Sequence, residues 1–413
     1  MTFRVIVVRY SVITVNEMFR ETNKIIQKNG GHEMLADLFE KINSGLEEVL
    51  AQTEAGEGSM KDNMDDLCDI LEDEILKGNS TEEEKKALLK RLRTFCNSET
   101  NIMLVGATGC GKSSTINALF GIGNDEETFE EGEEAEEGVE AERIPKKRIE
   151  VAKVGTKADP ETKDIEKYKI GNLILWDTPG LGDGTEEDEH HKEVITELLR
   201  EQDEDGNALI DLVLVILDGS TKDLGTSYNI LNNVIIPELK EEKGRILIAL
   251  NQADIAMKTG RHWDYEKNEP DEVLVKFLEE KVESIKQRIK EDSDLDVEPI
   301  YYCAGYEEEA GTVVHPYNLS KLLYYIMESL PAQKRVAVME GINTDSENYE
   351  HNEDDDYNEK IKSSFYDSFD YISDGIETGA EIGSTILGVP GAIVGAVLGG
   401  VIGCVKSILD SIF

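Results

Sequence analysis

The chain has 413 residues, enough for two or three domains of roughly 100–200 residues each, and its 39% hydrophobic content excludes wholesale disorder. Asp and Glu number 87 against 43 Lys and Arg, and this formal charge of -44 argues against direct nucleic-acid binding, because phosphates attract cationic side chains. The five cysteines form no CxxC pair, which predicts neither a disulfide scaffold nor a zinc ribbon and favours a reducing, cytoplasmic setting.

Residues 1–98 are predicted to form an N-terminal helical region. Between residues 34 and 50, apolar side chains recur at three- and four-residue steps, the spacing of one face of an amphipathic helix. A second helix is predicted from Met60 to Leu76. A third opens with Ser80 and Glu83, which have the spacing of a capping box. We expect this region to pack on the neighbouring domain.

Residues 99–332 alternate short apolar strands with helices. This alternation predicts an α/β domain with a mostly parallel six-stranded sheet and helices on both faces. The predicted strands are Ile102–Val105, Ile165–Ile170, Leu173–Trp176, Leu212–Leu217, Ile246–Leu250 and Pro299–Cys303. The predicted helices are Ser113–Phe120, Glu189–Arg200, Ser227–Leu239, Glu272–Lys290 and Leu319–Ser329. Ligands of such sheets bind at the carboxyl ends of the strands.

Two stretches are too acidic to be expected in a folded core. Residues 124–142 hold eleven acidic side chains and no Lys or Arg, and they are predicted to be a solvated insertion in the α/β domain. Glu340–Glu359 holds nine acidic side chains and again no Lys or Arg. It lies within residues 333–373, which are predicted to be an acidic, solvated linker.

A phosphate-binding loop is the strongest motif. Residues 106–113 read Gly-Ala-Thr-Gly-Cys-Gly-Lys-Ser, which fits G-x-x-x-x-G-K-[ST] between an apolar strand and a helix. Glycines let successive backbone N–H groups turn toward phosphate oxygens at the helix N-terminus. Lys112 is predicted to reach the β- and γ-phosphates, and the Ser113 hydroxyl to bind Mg²⁺. The predicted phosphate-binding residues are Gly106, Gly109, Cys110, Gly111, Lys112, Ser113 and Ser114.

A second motif, D-x-x-G, follows the strand Leu173–Trp176 at Asp177 and Gly180. Asp177 is predicted to hold Mg²⁺ through a water molecule. The amide of Gly180 is placed to meet the γ-phosphate and so to sense whether it is present.

A third motif points to guanine. Asn251-Gln252-Ala253-Asp254 fits N-x-x-D, with Gln252 where Lys is commoner. The Asp254 carboxylate can accept from N1–H and the exocyclic amine of guanine, and adenine lacks that arrangement, so discrimination can reach about 10⁴-fold. After the last strand, a backbone N–H in Cys303-Ala304-Gly305 is placed to meet the guanine oxygen.

This ordered set of motifs resembles the Era-like, translation-factor-class P-loop GTPases, including bacterial ribosome-binding-type GTPase-domain proteins. It is more distantly similar to the immunity-related GTPases, which carry helical segments around the G domain. The resemblance covers about residues 101–330 and implies hydrolysis of GTP to GDP and phosphate with Mg²⁺ as cofactor.

The resemblance also assigns roles that the motifs do not. It implies a threonine of the first switch that binds Mg²⁺ and the γ-phosphate; we assign Thr162, with Thr156 as the alternative. Lys112, Thr162 and Gly180 are then the catalytic residues, and Ser113, Thr162 and Asp177 the metal ligands. Leu181 stands where many relatives have a water-orienting Gln, which implies slow intrinsic hydrolysis.

Residues 374–413 are predicted to be a glycine-zipper hydrophobic helical hairpin. Ile382–Val405 holds 24 residues without a charge, and glycines recur every fourth residue from Gly391 to Gly403. Pro390 divides the run, so a kinked membrane span, a shallow hairpin and soluble packing all stay open. The predicted partners are therefore GTP, a membrane through residues 374–413 and a second copy through the G domain.

The motifs predict a cytoplasmic molecular switch, peripheral to or inserted in a membrane. The alternative is a non-catalytic nucleotide-binding module whose hydrophobic segment is the effector.

Overall fold

The computed structural model describes most of the chain between residues 81 and 365. The described ranges are 81–121, 165–180, 185–203, 206–221, 224–239, 242–258, 262–307, 313–353 and 356–365, with residues 68, 69, 72, 76, 129, 130, 144, 145, 409, 412 and 413. Several predictions fall outside them: the first N-terminal helix, nearly all of the acidic insertion, Thr162, Thr156, Leu181 and the glycine run. Within the described ranges, no helix is both long and apolar enough to cross a membrane.

Among the described residues, the central sheet has six strands, as predicted. They are β1 (Thr100–Gly106), β2 (Glu166–Ile170), β3 (Leu173–Asp177), β4 (Leu212–Asp218), β5 (Ile246–Asn251) and β6 (Ile300–Tyr301). Their order across the sheet is β6-β5-β4-β1-β3-β2, and every neighbouring pair is parallel except β2 with β3. Every residue of the central β1 is buried, as expected of a parallel strand covered on both faces.

Helices cover both faces of the sheet. They are α1 (Glu82–Cys96), α2 (Lys112–Phe120), α3 (Thr185–Arg200), α4 (Gly225–Ile230, continued by a π-helical stretch, Leu231–Ile235, and a last turn, Ile236–Glu238), α5 (Glu272–Ser293), α6 (Leu319–Glu328), α7 (Ala332–Glu340) and α8 (357–365). Ile102 and Leu104 of β1 pack with α1, α2, α6, α7 and α8. Met103 and Val105 pack with α3, α4 and α5, because successive strand residues point to opposite faces.

The prediction of a solvated linker at Glu340–Glu359 is wrong in part: Asp345, Glu347 and Glu350 are exposed as expected, but other described residues of the segment are buried. Tyr349 and Tyr357 are buried, and so is Glu340, whose carboxylate accepts a hydrogen bond from the Asn172 amide at 2.9 Å. The segment packs because a few of its apolar side chains, Tyr349 among them, belong to the buried cluster on the side of the sheet that α1 and α2 cover. The average composition of an acidic window does not show these side chains. The boundaries of the four predicted regions stay predictions.

The cysteine count did not indicate any pairing, yet Cys68 and Cys96 form a disulfide with their Cα atoms 6.4 Å apart. Pairing requires Cα atoms within about 4.4–6.8 Å, a distance that helix packing sets and that the sequence separation of 28 does not reveal. Cys110 and Cys303 are free and buried.

Candidate nucleotide-binding site

The three motifs converge at one edge of the sheet. Gly106 ends β1, Asp177 ends β3 and Asn251 ends β5, and these strands are parallel, so their carboxyl ends share that edge. Since β1 lies between β3 on one side and β4 and β5 on the other, the D-x-x-G and N-x-x-D motifs flank the phosphate loop from opposite sides.

The phosphate loop needs glycine at defined positions. Gly109 and Gly111 have φ of 76° and 92°, in the left-handed region that favours glycine. A Cβ on Gly106 would lie 2.4 Å from the carbonyl oxygen of Ile216. The loop then enters α2 at Lys112, which is 8% exposed and whose Nζ is 3.4 Å from the Gly106 carbonyl oxygen. That contact is longer than an ordinary hydrogen bond, and the nearby Asp177 carboxylate is the opposite charge that acts on this buried ammonium group.

Replacing Gly111 with alanine should remove nucleotide binding while Gly109→Ala weakens it far less. Both sites carry the strain of positive φ, roughly 1–2 kcal/mol. A Cβ at Gly111 would also lie 2.1 Å from Asn251 Nδ2, whereas one at Gly109 would meet nothing within 4 Å. Calorimetric titration with GDP measures the pair, and equal affinities of the two variants would contradict the close approach to Asn251.

The phosphate loop and β3 meet at a carboxylate. Ser113 Oγ donates a hydrogen bond to Asp177 Oδ2 at 2.9 Å, while the other carboxylate oxygen, Oδ1, is buried without a partner. Burial raises the pKa of Asp177, and the nearby Lys112 ammonium and Ser113 hydroxyl counteract it only in part. The Ser113 hydroxyl and the Asp177 carboxylate, with its unsatisfied Oδ1, supply hard oxygen ligands of the kind that Mg²⁺ prefers. The described residues predicted to bind Mg²⁺ therefore fit the ion; Thr162 lies outside the described part.

The D-x-x-G segment runs directly over the phosphate loop. Thr178 Oγ1 donates to the carbonyl of Leu104 at 2.8 Å and ties the segment to β1. A Cβ on Gly180 would lie 2.3 Å from Thr108 Oγ1 and 2.6 Å from its Cα, so only glycine fits there. Thr108, a variable position in the motif, was not predicted to take part, and only the close approach reveals it.

Asn251 holds two loops together. Its side chain is 3% exposed; Nδ2 donates to the carbonyl of Cys110 at 3.0 Å, and Oδ1 accepts from the amide of Ala304 at 3.0 Å. Beside it, Gln252 Nε2 donates to the carbonyl of Gly109 at 2.9 Å. Both were predicted to bind nucleotide, and in the structure they join the phosphate loop to the N-x-x-D motif and, through Asn251, to Ala304.

The post-strand amides are engaged within the protein. The Ala304 N–H is donated to Asn251, and the Cys303 N–H is donated to the carbonyl of Tyr317 at 3.0 Å. The Gly305 N–H has only a 3.4 Å contact with Cys303 Sγ. Of the three amides predicted to meet the guanine oxygen, that of Gly305 is thus the least committed.

The Asp254 carboxylate has a hydrogen-bond acceptor that no protein donor satisfies. It is 7% exposed, and its Oδ2 is buried without a hydrogen-bond partner. Burial raises the pKa of this carboxyl, and hydrogen bonds from the Cys303 thiol and the Tyr306 hydroxyl act in the opposite direction. Guanine offers two adjacent N–H donors to such an oxygen pair. The sequence analysis did not predict that Tyr306 contacts Asp254. Its position directly after Cys303-Ala304-Gly305 is the feature of the sequence from which this contact could have been predicted.

The start of α2 is locked by a buried hydroxyl pair. Thr115 Oγ1 donates to the Gly111 carbonyl at 2.7 Å and lies 2.6 Å from the hydroxyl of Tyr302, which follows β6. We expect Tyr302→Phe to cost about 1 kcal/mol of unfolding free energy, the usual worth of one hydrogen bond. The urea midpoint measures this. The control Tyr228→Phe removes a buried ring's hydroxyl from the opposite face of the sheet and should cost less; a Tyr302→Phe midpoint equal to wild type would contradict the prediction.

Comparisons with known proteins agree with the motif set. Residues 101–252 match the family model described as 50S ribosome-binding GTPase. Interferon-gamma-inducible GTPase 10 of Mus musculus is 40% identical over 85 residues, covering 20% of this chain and 15% of that protein. Interferon-inducible GTPase 1 of Mus musculus is 32% identical over 120 residues, covering 28% of this chain and 23% of that protein. The matches thus span less than a quarter of the length of either relative.

Solved structures of other proteins are similar to part of the chain at low sequence identity. A crystal structure of an Aquifex aeolicus Era variant bound to GDP.AlF4- is 18% identical, covers 56% of both chains and has a TM-score of 0.31. Toc33 from Arabidopsis thaliana, in a dimerization-deficient mutant, is 16% identical, covers 56% of this chain and 83% of that one, and has a TM-score of 0.34.

Proposed function

Because this chain carries a P-loop GTPase domain that resembles both the 50S ribosome-binding GTPase family and the interferon-inducible GTPases, we propose that it is a Mg²⁺-dependent GTP switch. The domain family binds and hydrolyses GTP. The proposal adds that intrinsic turnover is slow and that the nucleotide state is passed to the segments around residues 99–332.

Two buried carboxylate oxygens carry the proposal. Among the described residues, Asp177 Oδ1 and Asp254 Oδ2 are the carboxylate oxygens that are buried without a hydrogen-bond partner. Such atoms are costly unless a ligand satisfies them. They flank the phosphate loop from opposite sides, one suited to a cation and the other to guanine N–H donors, as a nucleoside triphosphate with Mg²⁺ requires.

The remaining roles follow from the loop's own groups. The amides of residues 107–113 bind the phosphates, and Lys112 neutralises charge at the β- and γ-phosphates. Ser113 and Asp177, with Thr162 as the proposed switch ligand, hold Mg²⁺, which supplies neutralisation of the developing phosphate charge. The Gly180 amide senses the γ-phosphate. Because the apolar Leu181 cannot orient a water molecule, hydrolysis by the protein alone is slow.

Release of phosphate by the purified full chain tests the switch against its rival. The rival is a module that binds nucleotide without turnover and whose hydrophobic segment is the effector. Tight GTP binding without phosphate release, alone or with lipid vesicles, would favour the rival. GTP-dependent release above the level of Lys112→Ala supports the switch.

The proposed partners beyond GTP are a membrane and a second copy of the chain. The 24-residue uncharged run Ile382–Val405 supports membrane contact through residues 374–413. Vesicle flotation of the full chain and of a chain lacking residues 374–413 separates membrane contact from soluble packing. Sedimentation with and without GTP tests self-association through the G domain. The proposal places the protein in the cytoplasm, peripheral to or inserted in a membrane.

A further inference from the structure

The C-terminal end of α2, the helix that follows the phosphate loop, is hydrogen-bonded to residues that come after the α/β domain predicted at residues 99–332. The last carbonyls of a helix lack partners within the helix. In α2, the carbonyl of Leu119 accepts hydrogen bonds from the backbone N–H of Asn343 at 2.8 Å and from the Tyr349 hydroxyl at 3.2 Å. The carbonyl of Ala118 accepts from Asn343 Nδ2 at 3.1 Å. A helix of nine residues, about 13 Å long, therefore joins Lys112 to this contact.

The same segment also holds the turn between β2 and β3. The carboxylate of Glu340 accepts from the Asn172 amide at 2.9 Å and from its Nδ2 at 3.3 Å. A Cβ on Gly341 would lie 2.8 Å from Leu173 Cδ2, so the backbone lies directly on β3. We call Glu340–Tyr349 the C-terminal clasp. It contacts both elements that carry the metal-binding side chains, since Ser113 is on α2 and Asp177 is on β3.

Residues near position 410, far along the chain from the clasp, pack against it. Leu409 is 0% and Ile412 4% exposed, and they belong to the same buried cluster as Leu119 and Tyr349. The ring of Phe413 packs edge-on against Tyr349, with the centroids 5.0 Å apart. We call Leu409, Ile412 and Phe413 the tail anchor. Phe365 of α8 lies in this cluster too, so both ends of the stretch 366–408 are fixed to the same side of the sheet.

We infer that the clasp is a binding site for the tail anchor and that seating of the anchor is coupled to nucleotide binding. The route runs from Phe413 through Tyr349 to the Leu119 carbonyl, and along α2 to Lys112 and Ser113. Nucleotide that binds Lys112 and Ser113 further stabilises the start of α2, and through this short helix it stabilises the end that the clasp and anchor contact. Thermodynamic reciprocity then makes anchor release weaken nucleotide binding by the factor by which nucleotide strengthens anchor seating. This inference rests on nucleotide binding at the proposed site.

Affinity for GDP with Mg²⁺ tests the coupling on the full chain. Phe413→Ala should weaken GDP at least about 5-fold, the lower limit of typical coupling between sites. Tyr349→Phe keeps the ring contact but loses the hydroxyl to Leu119, and should weaken GDP by a smaller factor. The matched control is Ile285→Val, which trims a buried side chain in the cluster on the opposite face of the sheet and should leave GDP affinity unchanged.

Hydrogen exchange supplies the reciprocal measurement. Saturating GDP should slow amide exchange in a peptide that ends at Phe413, in wild type but not in Phe413→Ala. Unchanged GDP affinity in Phe413→Ala together with unchanged exchange on GDP addition would overturn the coupling while leaving the GTPase proposal intact. A wild-type chain that binds neither GDP nor GTP would overturn both. Loss of GDP binding in Ile285→Val as large as in Phe413→Ala would also overturn it, because the effect would then be general destabilisation.

Discussion

Lys112→Ala should lower GTP hydrolysis by at least about 10³-fold, the range seen when a positive charge on the transferring phosphoryl group is lost. The ammonium group is buried at the phosphate loop, with a 3.4 Å contact to the Gly106 carbonyl and the Asp177 carboxylate nearby, and this places a positive charge where an anion would bind. Its removal leaves the γ-phosphate without its cationic partner. Phosphate release under single-turnover conditions measures the loss of the chemical step.

A second effect of Lys112→Ala acts through Asp177. The Lys112 charge lowers the pKa of Asp177 against the raising effect of burial, so its removal should raise that pKa further. Mg²⁺ requires the ionised carboxylate, and the variant should therefore need more Mg²⁺ for nucleotide binding. Lys276→Ala is the matched control, because that side chain is exposed on α5 with its nearest carboxylate 3.9 Å away. Wild-type turnover by Lys112→Ala would refute the assigned role.

Asp254→Asn should change which base is bound. The wild-type carboxylate presents two acceptor oxygens, which suits the adjacent N–H donors of guanine. An amide presents one acceptor and one donor, which suits xanthine, whose N1–H lies beside a carbonyl oxygen. Each hydrogen bond to the charged group is worth about 1.5–3 kcal/mol, so GTP affinity should fall by about 10²-fold or more while XTP affinity rises.

Competition among GTP, XTP and ATP measures this exchange of specificity. Because it predicts a gain as well as a loss, a variant that merely unfolds cannot imitate it. Glu280→Gln makes the same change of charge on an exposed side chain of α5 and should keep the preference for GTP. Equal binding of GTP and ATP by the wild type, or no gain for XTP in Asp254→Asn, would remove Asp254 from base recognition.

Much of the fold could be read from the chain because its signals are local. Alternating apolar runs and helical periods predicted the six strands, and the observed strands differ from them by at most two residues at either end. The phosphate loop was equally readable, since left-handed φ at Gly109 and Gly111 leaves little choice of residue type. Asp177 and Asp254 could be named because Asp177 ends a strand of the sheet and Asp254 lies in the turn directly after another strand.

What sequence reasoning missed depends on contacts between distant residues. Tyr302 meets Thr115 across a separation of 187 residues, and Tyr349 meets Leu119 across 230. Asn251 was predicted to bind nucleotide, but its bridge from Cys110 to Ala304 required two distant loops to meet at the end of β5. Glu340–Glu359 was predicted to be a solvated linker because its composition is acidic; its acidic side chains are partly exposed, but Glu340, Tyr349 and Tyr357 pack in the interior.

By itself, the sequence determined the chemistry: which backbone turns require glycine, where a lysine and carboxylates follow strand ends, and which faces of strands are apolar. These properties depend on neighbouring residues, so a linear pattern contains them. Only the tertiary structure decided how the phosphate loop and α2 are supported. Asn251 is hydrogen-bonded to the loop, Tyr302 contacts Thr115 near the start of α2, and Asn343 and Tyr349 are hydrogen-bonded to the end of α2. Such support depends on distances of about 3 Å between groups far apart in the chain, and side-chain packing alone sets those distances.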